Sequence, residues 1–258
     1  MKNKIKFFNK SKSGGYAPIP SLSPYSKISK KRISNTKFTY RKTNQYVYDV
    51  LKNPRKWLDI GCANGEFIYY LADLWRETKF TGIDITKEYI NIARKLNKKH
   101  DNAKFYCKNV FDISNNIYKS EVVTCLGTFH IFPQPEDFLN TLLDLVDKGG
   151  LLVINGRFNP YDVSAIIKFK DDSTKISKNV WRCDFNLHSE SWIKDMLSKR
   201  SDIHNFDFFY PVMDTKIPKK KNAPHINVWT VPRKTGGYDI ENGLRLFLNP
   251  AFLVIKKK

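Results

Sequence analysis

Four side chains at or near the ends of short apolar runs could do chemistry together: Asp59, Asp84, Asn109 and His130. Asp59 lies in the run Trp57, Leu58, Ile60, which stops at Gly61, and Gly65 follows four residues later. Glycines at such a turn let the backbone approach a ligand closely, and the N-terminus of a following helix offers unpaired N–H groups. Asp84 closes the run Phe80–Ile83, 25 residues after Asp59. An acid there can accept hydrogen bonds from both hydroxyls of a ribose, or it can cap the next helix. The arrangement suits a nucleotide-like cofactor at the carboxyl edge of a parallel sheet. His130 stands just behind another run, Glu121–Leu126, that ends at Gly127. An ordinary histidine pKa of about 6.5 suits a general base. The same residue suits a helix-start histidine that packs and shapes a pocket.

The turn is not the dinucleotide fingerprint. That motif needs G-x-G-x-x-G so that a pyrophosphate sits on a helix N-terminus. Here Ala63 occupies the second glycine position, and Gly65 comes one residue too early for the third. The pattern from Asp59 to Gly65 is D-x-G-x-A-x-G. It resembles motif I of the class I S-adenosylmethionine-dependent methyltransferases, whose usual form has glycine where this chain has Ala63. The string TGIDIT around Asp84 resembles motif II of that family. In the family an acid after the third strand commonly holds the adenine amino group; Asn109 stands at that place in KNVFDI. An amide can still accept from an exocyclic N–H and donate to a ring nitrogen. Val110 and Phe111 suit either the adenine face or the core.

The resemblance covers about residues 56–156, with four successive strand ends in order. It implies S-adenosyl-L-methionine as cofactor and methyl transfer as the reaction. It also implies cofactor contacts at Asp59, Gly61, Cys62, Ala63, Gly65, Asp84, Ile85, Asn109, Val110, Leu126 and Gly127, the last two through backbone carbonyls beside the reacting sulfonium. The fold it implies is α/β: a Rossmann-like, mostly parallel seven-stranded sheet with helices on both faces and an antiparallel C-terminal strand pair. No metal site is expected.

The elements that must position these residues follow from periodicity. Phe67, Leu71, Leu74 and Trp75 are spaced for a helix after the glycine turn. Residues 36–53 pattern as a helix before the first strand, from which Tyr40 and Arg41 could reach the methionine carboxylate. Thr86 reads as an N-cap for a helix through about Leu96. Strands are expected at about Ala103–Cys107 and Glu121–Leu126. Pro133 and Pro135 open a helix carrying Phe138, Leu142 and Val146 on one face, stopped by Gly149-Gly150 before the strand LLVING.

Beyond Arg157 the resemblance fades, and acceptor choice must lie there. Residues 163–187 hold two alternating, aromatic-bearing runs around a polar turn and read as an inserted hairpin. Ser189–Leu197 patterns as a helix with Trp192, Ile193 and Met196 inward. Phe206–Val212 and Leu246–Ile255 read as a closing strand pair, joined by a long loop, 213–245, able to act as a lid. Arg157, Tyr161, Arg182, Trp229 and Arg233 are the expected acceptor-lining residues. FNPY (Phe158–Tyr161) approaches the N-P-P-Y box of adenine-N6 methyltransferases, but it lacks the second proline and follows the fifth strand rather than the fourth.

Length and charge bound the rest. The 258 residues suffice for one large α/β domain, and no apolar run approaches the roughly 20 residues that span a bilayer. Cys62, Cys107, Cys125 and Cys183 have no C-x-x-C spacing and read as free thiols in a reducing cytoplasm. The net charge is +20, and residues 1–48 alone contribute +12 with no acid. A basic arm attracts nucleic acid, an anionic membrane or an anionic substrate. Yet 35 of the 45 basic residues are Lys, which suits a merely solvated surface. The expected organisation is an irregular basic arm, 1–34, then a methyltransferase domain, 35–258, with its cofactor half at 56–156 and insertions at about 157–188 and 213–245.

Three functions fit. The first is methyl transfer to oxygen or nitrogen of a small molecule, such as a sugar or another cell-surface or secondary-metabolism intermediate; an anionic acceptor would suit the arginines. The second is RNA methylation using the basic arm. The third is a non-catalytic S-adenosylmethionine-binding regulator. For an oxygen acceptor His130 is the first base candidate, then His188 or His225. Oligomeric state is not encoded in these patterns.

Overall fold

Side-chain parity along each strand decides which layer receives it. In β1 (Lys56–Ile60), Leu58 and Ile60 join one core and Trp57 the other, so Asp59 shares the face of Trp57. The same alternation runs through β2 (Lys79–Asp84), β3 (Ala103–Cys107), β4 (Ser120–Leu126) and β5 (Val146–Gly156). Near-continuous burial along β1, β4 and β5 marks strands covered on both faces. The structure, a computed structural model, describes residues 37–170, 181–219, 228–242 and 251–258. The expected arm, His225 and residues 246–250 of the last expected strand lie outside the described residues.

Helices α1 (Phe38–Val50), α2 (Glu66–Ala72) and α3 (Lys87–Leu96) cover the Trp57 face, meeting Phe80, Phe105 and Val153. Helices α4 (Glu136–Asp144) and α5 (Glu190–Ser198) cover the Leu58 face, through Leu139, Leu142, Ile193 and Leu197. After β5 come the short strands β6 (Phe158–Asn159), β7 (Lys168–Lys170), β8 (Trp181–Cys183) and β9 (His188–Ser189). Then follow β10 (Ile203–Phe209), β11 (Val228–Pro232), β12 (Tyr238–Asn242) and β13 (Ala251–Lys257). The main sheet has seven strands in the order β10-β13-β5-β4-β1-β2-β3. β13 runs antiparallel to both neighbours. This is the expected mostly parallel sheet with its antiparallel closing pair. The strand order reverses between β1 and β4, and an open parallel sheet holds ligands at such a switch point, beyond the carboxyl strand ends.

Several boundaries differ from the sequence reading. α2 stops at Ala72, leaving Leu74 exposed, while the Trp75 indole donates to Asn44 and ties α1 down. Thr86 makes no side-chain cap; Asp84 bonds its backbone N–H instead. α4 ends at Asp144, and Gly149 and Gly150 lie within β5. The reason is long-range: the end of β13 reaches this stretch, with Gly149 N–H donating to Lys258 and Lys256 to the Gly149 carbonyl.

The hairpin expected in 163–187 is present as β7 and β8, extended by a bridge between Ala165 and Leu187. The expected long loop 213–245 instead contains a second hairpin, β11–β12. Its turn closes through Gly236 and Gly237 at positive φ, a conformation glycine adopts without penalty. A local run of Pro, Lys and Gly masks this pairing in the sequence. The two hairpins share a small core in which Phe169 and Phe185 meet Ile167, Val228 and Ile240.

Candidate active site

The glycine turn is held by its own amides. Gly61 and Cys62 N–H both donate to the Ile83 carbonyl at 2.8 and 3.1 Å. Ala63 N–H donates to Asp84 Oδ2 at 2.9 Å, and Gly65 N–H to the Cys62 carbonyl at 2.9 Å. Four amides of the turn are therefore bonded within the protein. Such a turn cannot wrap a pyrophosphate. A cofactor with no phosphate at this point fits it. Gly61 has φ +73°, and a Cβ there would lie 2.1 Å from Thr128 Oγ1. The β1 and β4 turns therefore touch, and only glycine fits. The Cys62 thiol points away into the core with Phe67 and Phe105, so only its backbone borders the turn.

Ala63 carries φ +47°. The left-handed region costs a non-glycine residue about 1–2 kcal/mol, and glycine loses some of that advantage through its freer unfolded chain. Ala63→Gly is therefore expected to stabilise the protein by about 0.5–1 kcal/mol, read as a higher midpoint in urea unfolding.

Asp59, buried, and Asp84, half-buried, form an acidic pair at this turn. Asp59 accepts from Thr124 Oγ1 at 2.7 Å, and Thr124 in turn accepts from the Trp57 indole at 3.1 Å. Burial, and then the Asp84 charge, push the Asp59 carboxyl up to about 7, against the lowering bond from Thr124. Asp84 accepts from Ala63 N–H through Oδ2 and from Thr86 N–H through Oδ1, at 2.9 and 2.8 Å. Burial raises its pKa while these bonds oppose the rise. Asp84 thus braces both turns, and each oxygen keeps a lone pair for a further donor.

Around this pair the strand ends offer both polar and apolar surface. Ile85 is 65% exposed immediately after Asp84. Asn109 accepts from Phe111 N–H at 3.2 Å, which turns the chain after β3, so its amide N–H₂ is the part available to a ligand. Val110 belongs to the core with Ile83 and Ile113, so its side chain is structural. Leu126 is half-buried at the end of β4. Beside Gly127, φ +74°, nothing lies within 4 Å of where a Cβ would stand. The ends of β1 and β4 thus meet at the switch point, with open space beside Gly127.

His130 follows on the turn Phe129–Ile131. Its Nε2 is 3.2 Å from Asp184 Oδ1, and its Nδ1 is buried with no hydrogen-bond partner among the described residues. Burial first, then the Arg157 charge, lower its pKa, with Asp184 opposing. With Nε2 turned to Asp184, the lone pair of the neutral ring lies on the buried Nδ1. Phe185 stacks on it at 6.2 Å between centroids and carries φ +58°, a strained conformation for a bulky residue. The Arg157 guanidinium carbon lies 5.0 Å from the centroid of the Phe185 ring, and burial lowers its pKa to about 10. His188, considered as a second base, is fully buried against Phe129 and Trp192, and burial pushes it down to about 4. It is a core residue, which corrects that expectation.

The remaining expected lining residues separate. Arg182 is buried, whereas Tyr161 is 76% exposed, on a turn where Asn159 accepts its N–H. Trp229 is half-buried with Lys219 4.2 Å from its ring, and Arg233 pairs with Asp239 in the β11–β12 turn. Asn159 also donates to the Val163 carbonyl, so FNPY is a local turn. Arg41 donates to both oxygens of Asp214 at 2.9 and 2.7 Å, and Tyr40 packs on Phe67. Sequence reasoning missed Asp184, Phe185 and the Lys37–Glu66 ion pair. Nothing in their local pattern separates them from surface or core residues.

A family profile described as a methyltransferase domain matches residues 51–203. A tRNA (guanine-N(7)-)-methyltransferase of Prochlorococcus marinus is 27% identical over 154 residues, covering 52% of this chain and 71% of the relative. A ubiquinone biosynthesis O-methyltransferase of Coxiella burnetii is 24% identical over 108 residues, covering 40% of this chain and 45% of the relative. Among solved structures, the plantazolicin methyltransferase BpumL, in complex with a pentazolic desmethylPZN analogue and SAH, superposes with a TM-score of 0.54 at 18% identity, covering 91% of this chain and 93% of that one. The N-terminal domain of EvdMO1 with SAH bound gives 0.53 at 10% identity, covering 89% and 85%. At such identities these two structures share the fold.

Proposed function

This chain belongs to the methyltransferase-domain family, within the class I S-adenosylmethionine-dependent group with a Rossmann-like fold, and on that premise we propose that it methylates an oxygen or nitrogen atom of a small molecule. The observation that carries the reading is that Gly61, Asp84 and Gly127 stand at the ends of neighbouring strands at the sheet's switch point, with His130 of the next turn meeting Asp184 of the insert. The cofactor supplies an electrophilic methyl group on a cationic sulfur. Asp84 and the Asn109 amide offer the polar contacts a ribose and an adenine take, and Ile85 an apolar one. The amides of Gly61, Cys62, Ala63 and Gly65 are bonded inward rather than toward a phosphate. Asp59 supplies buried negative charge toward a cationic ligand. His130, kept neutral and oriented by Asp184, is the group to take a proton from a hydroxyl acceptor. We assign 35–258 to the methyltransferase domain, its cofactor half at 56–156, with the two inserted hairpins as the acceptor-side wall.

Small-molecule methylation draws support from fold neighbours such as the plantazolicin methyltransferase BpumL, in complex with desmethylPZN analogues and SAH. A sugar or another cell-surface or secondary-metabolism intermediate is the class we favour. A second reading, RNA methylation, has its own observation: curated tRNA methyltransferases match this chain, and residues 1–48 are strongly basic.

One experiment separates them. The protein is incubated with methyl-labelled S-adenosylmethionine and host extract, and products are divided into RNA, protein and low-mass fractions. Label is expected in the low-mass fraction. Label in RNA, lost on removal of residues 1–34, overturns the leading reading. In the same assay His130→Gln is expected to lower turnover about 10²–10⁴-fold for a hydroxyl acceptor. Unchanged turnover would remove His130 from the chemistry and favour an amine acceptor.

A further inference from the structure

The insert encloses a cation for which the described residues supply no acid. Arg182, on β8, is 7% exposed, and its Nη2 has no hydrogen-bond partner among the described residues. Other enclosed cations have their acids. Lys37 pairs with Glu66, Arg200 with Asp144 and Asp202, and Arg157 feels the charge of Asp184. A guanidinium taken out of water without a partner is costly, and burial of this kind is compensated when an anion completes it.

Position says where that anion belongs. Arg182 is the register partner of Phe169 in the β7–β8 pair, so the two share a face. Phe169 lies 5.8 Å from Phe185, whose ring also meets Arg157 at 5.0 Å and His130 at 6.2 Å. Arg182 therefore borders the same aromatic cluster as the candidate base. The planar fork of a guanidinium matches the two oxygens of a carboxylate or phosphate, a geometry that an ammonium lacks.

We propose that Arg182 binds an oxyanion group, a carboxylate or a phosphate, of the methyl acceptor; this rests on reading the insert as the acceptor-side wall. Arg157 adds positive potential to the same cluster. The acceptor is then an acidic small molecule carrying a nucleophilic hydroxyl or amine, and Arg182 fixes its orientation.

The test uses the full chain with S-adenosylhomocysteine, comparing wild type with Arg182→Met. Melting is followed with inorganic phosphate, with acetate and with chloride at matched ionic strength, since phosphate also stabilises proteins without specific binding. Wild type is expected to gain roughly 2–4 °C over chloride with at least one oxyanion. In Arg182→Met that gain disappears. Without oxyanion the variant melts at or above wild type, because an unpaired buried charge has been removed. Gain with phosphate alone identifies a phosphoryl group, and gain with acetate alone a carboxylate. The proposal is overturned if wild type shows no gain, if both proteins gain equally, or if the variant melts well below wild type, which would make Arg182 a structural residue. The cofactor reading is read separately from the shift given by S-adenosylhomocysteine. Loss of that shift with the oxyanion gain intact would sink the cofactor reading and leave the Arg182 site standing.

Discussion

Asp84→Ala is expected to weaken S-adenosylmethionine binding by about 1.5–3 kcal/mol, the loss of a charged hydrogen-bonding partner, measured by calorimetry. Two consequences of the geometry add up in this variant. The lone pairs available to ribose hydroxyls disappear. The Ala63 and Thr86 N–H groups, bonded to Asp84 at 2.9 and 2.8 Å, also lose their acceptor, which loosens the turn that Gly61 needs to meet Thr128. Apo stability is therefore expected to fall as well. Asp84→Asn does not rescue it, since its amide nitrogen must face one of two N–H donors. Unchanged affinity in Asp84→Ala would mean that the ribose lies elsewhere.

Asp59→Asn should move stability and affinity in opposite directions. The folded pKa of Asp59 is raised to about 7, chiefly by burial and next by Asp84, with Thr124 opposing. A raised carboxyl pKa means that the folded state holds the proton more tightly than the unfolded chain. Its stabilising contribution is complete below the unfolded value near 3.8 and is lost as pH rises through about 7. At pH 8 the ionised carboxylate is a burden that an amide removes. The apo variant is expected to gain roughly 2–4 kcal/mol there and little at pH 4, from the linkage of about 1.4 kcal/mol per pKa unit. Cofactor binding should weaken, because a cationic ligand draws on the ionised form. In wild type the same logic makes affinity roughly tenfold stronger at pH 8 than at pH 6, and Asp59→Asn should flatten that profile. Equal thermal midpoints for the two proteins across this range would show that Asp59 does not titrate as its burial implies.

The cofactor half was legible because its information is local. β3 was expected at its observed bounds, Ala103–Cys107, and β1, β2 and β4 at nearly theirs, since each is an apolar run closed by a glycine, an acid or an amide. Where expectation failed, a distant segment had taken over. Gly149 and Gly150 read as a helix stop, yet β13 draws them into a strand. Thr86 stands at the N-cap as expected, yet its side chain makes no cap bond, and its own N–H is held by Asp84. The segment 213–245 read as a loop, yet its two strands pack on a hairpin that precedes them in the chain.

The sequence by itself determined the glycine turn, the acids at the strand ends and the order of the parallel strands. These depend on turn conformation and on residues a few positions apart, which spacing records directly. Only the tertiary structure decided that the turn amides bond inward, that burial raises the Asp59 pKa to about 7, that His130 meets Asp184, and that Arg182 is enclosed with its Nη2 unpartnered among the described residues. Desolvation and pairing are properties of what surrounds a side chain in space. Those surroundings come from segments far apart in the chain, as when Arg41 reaches across 173 positions to Asp214.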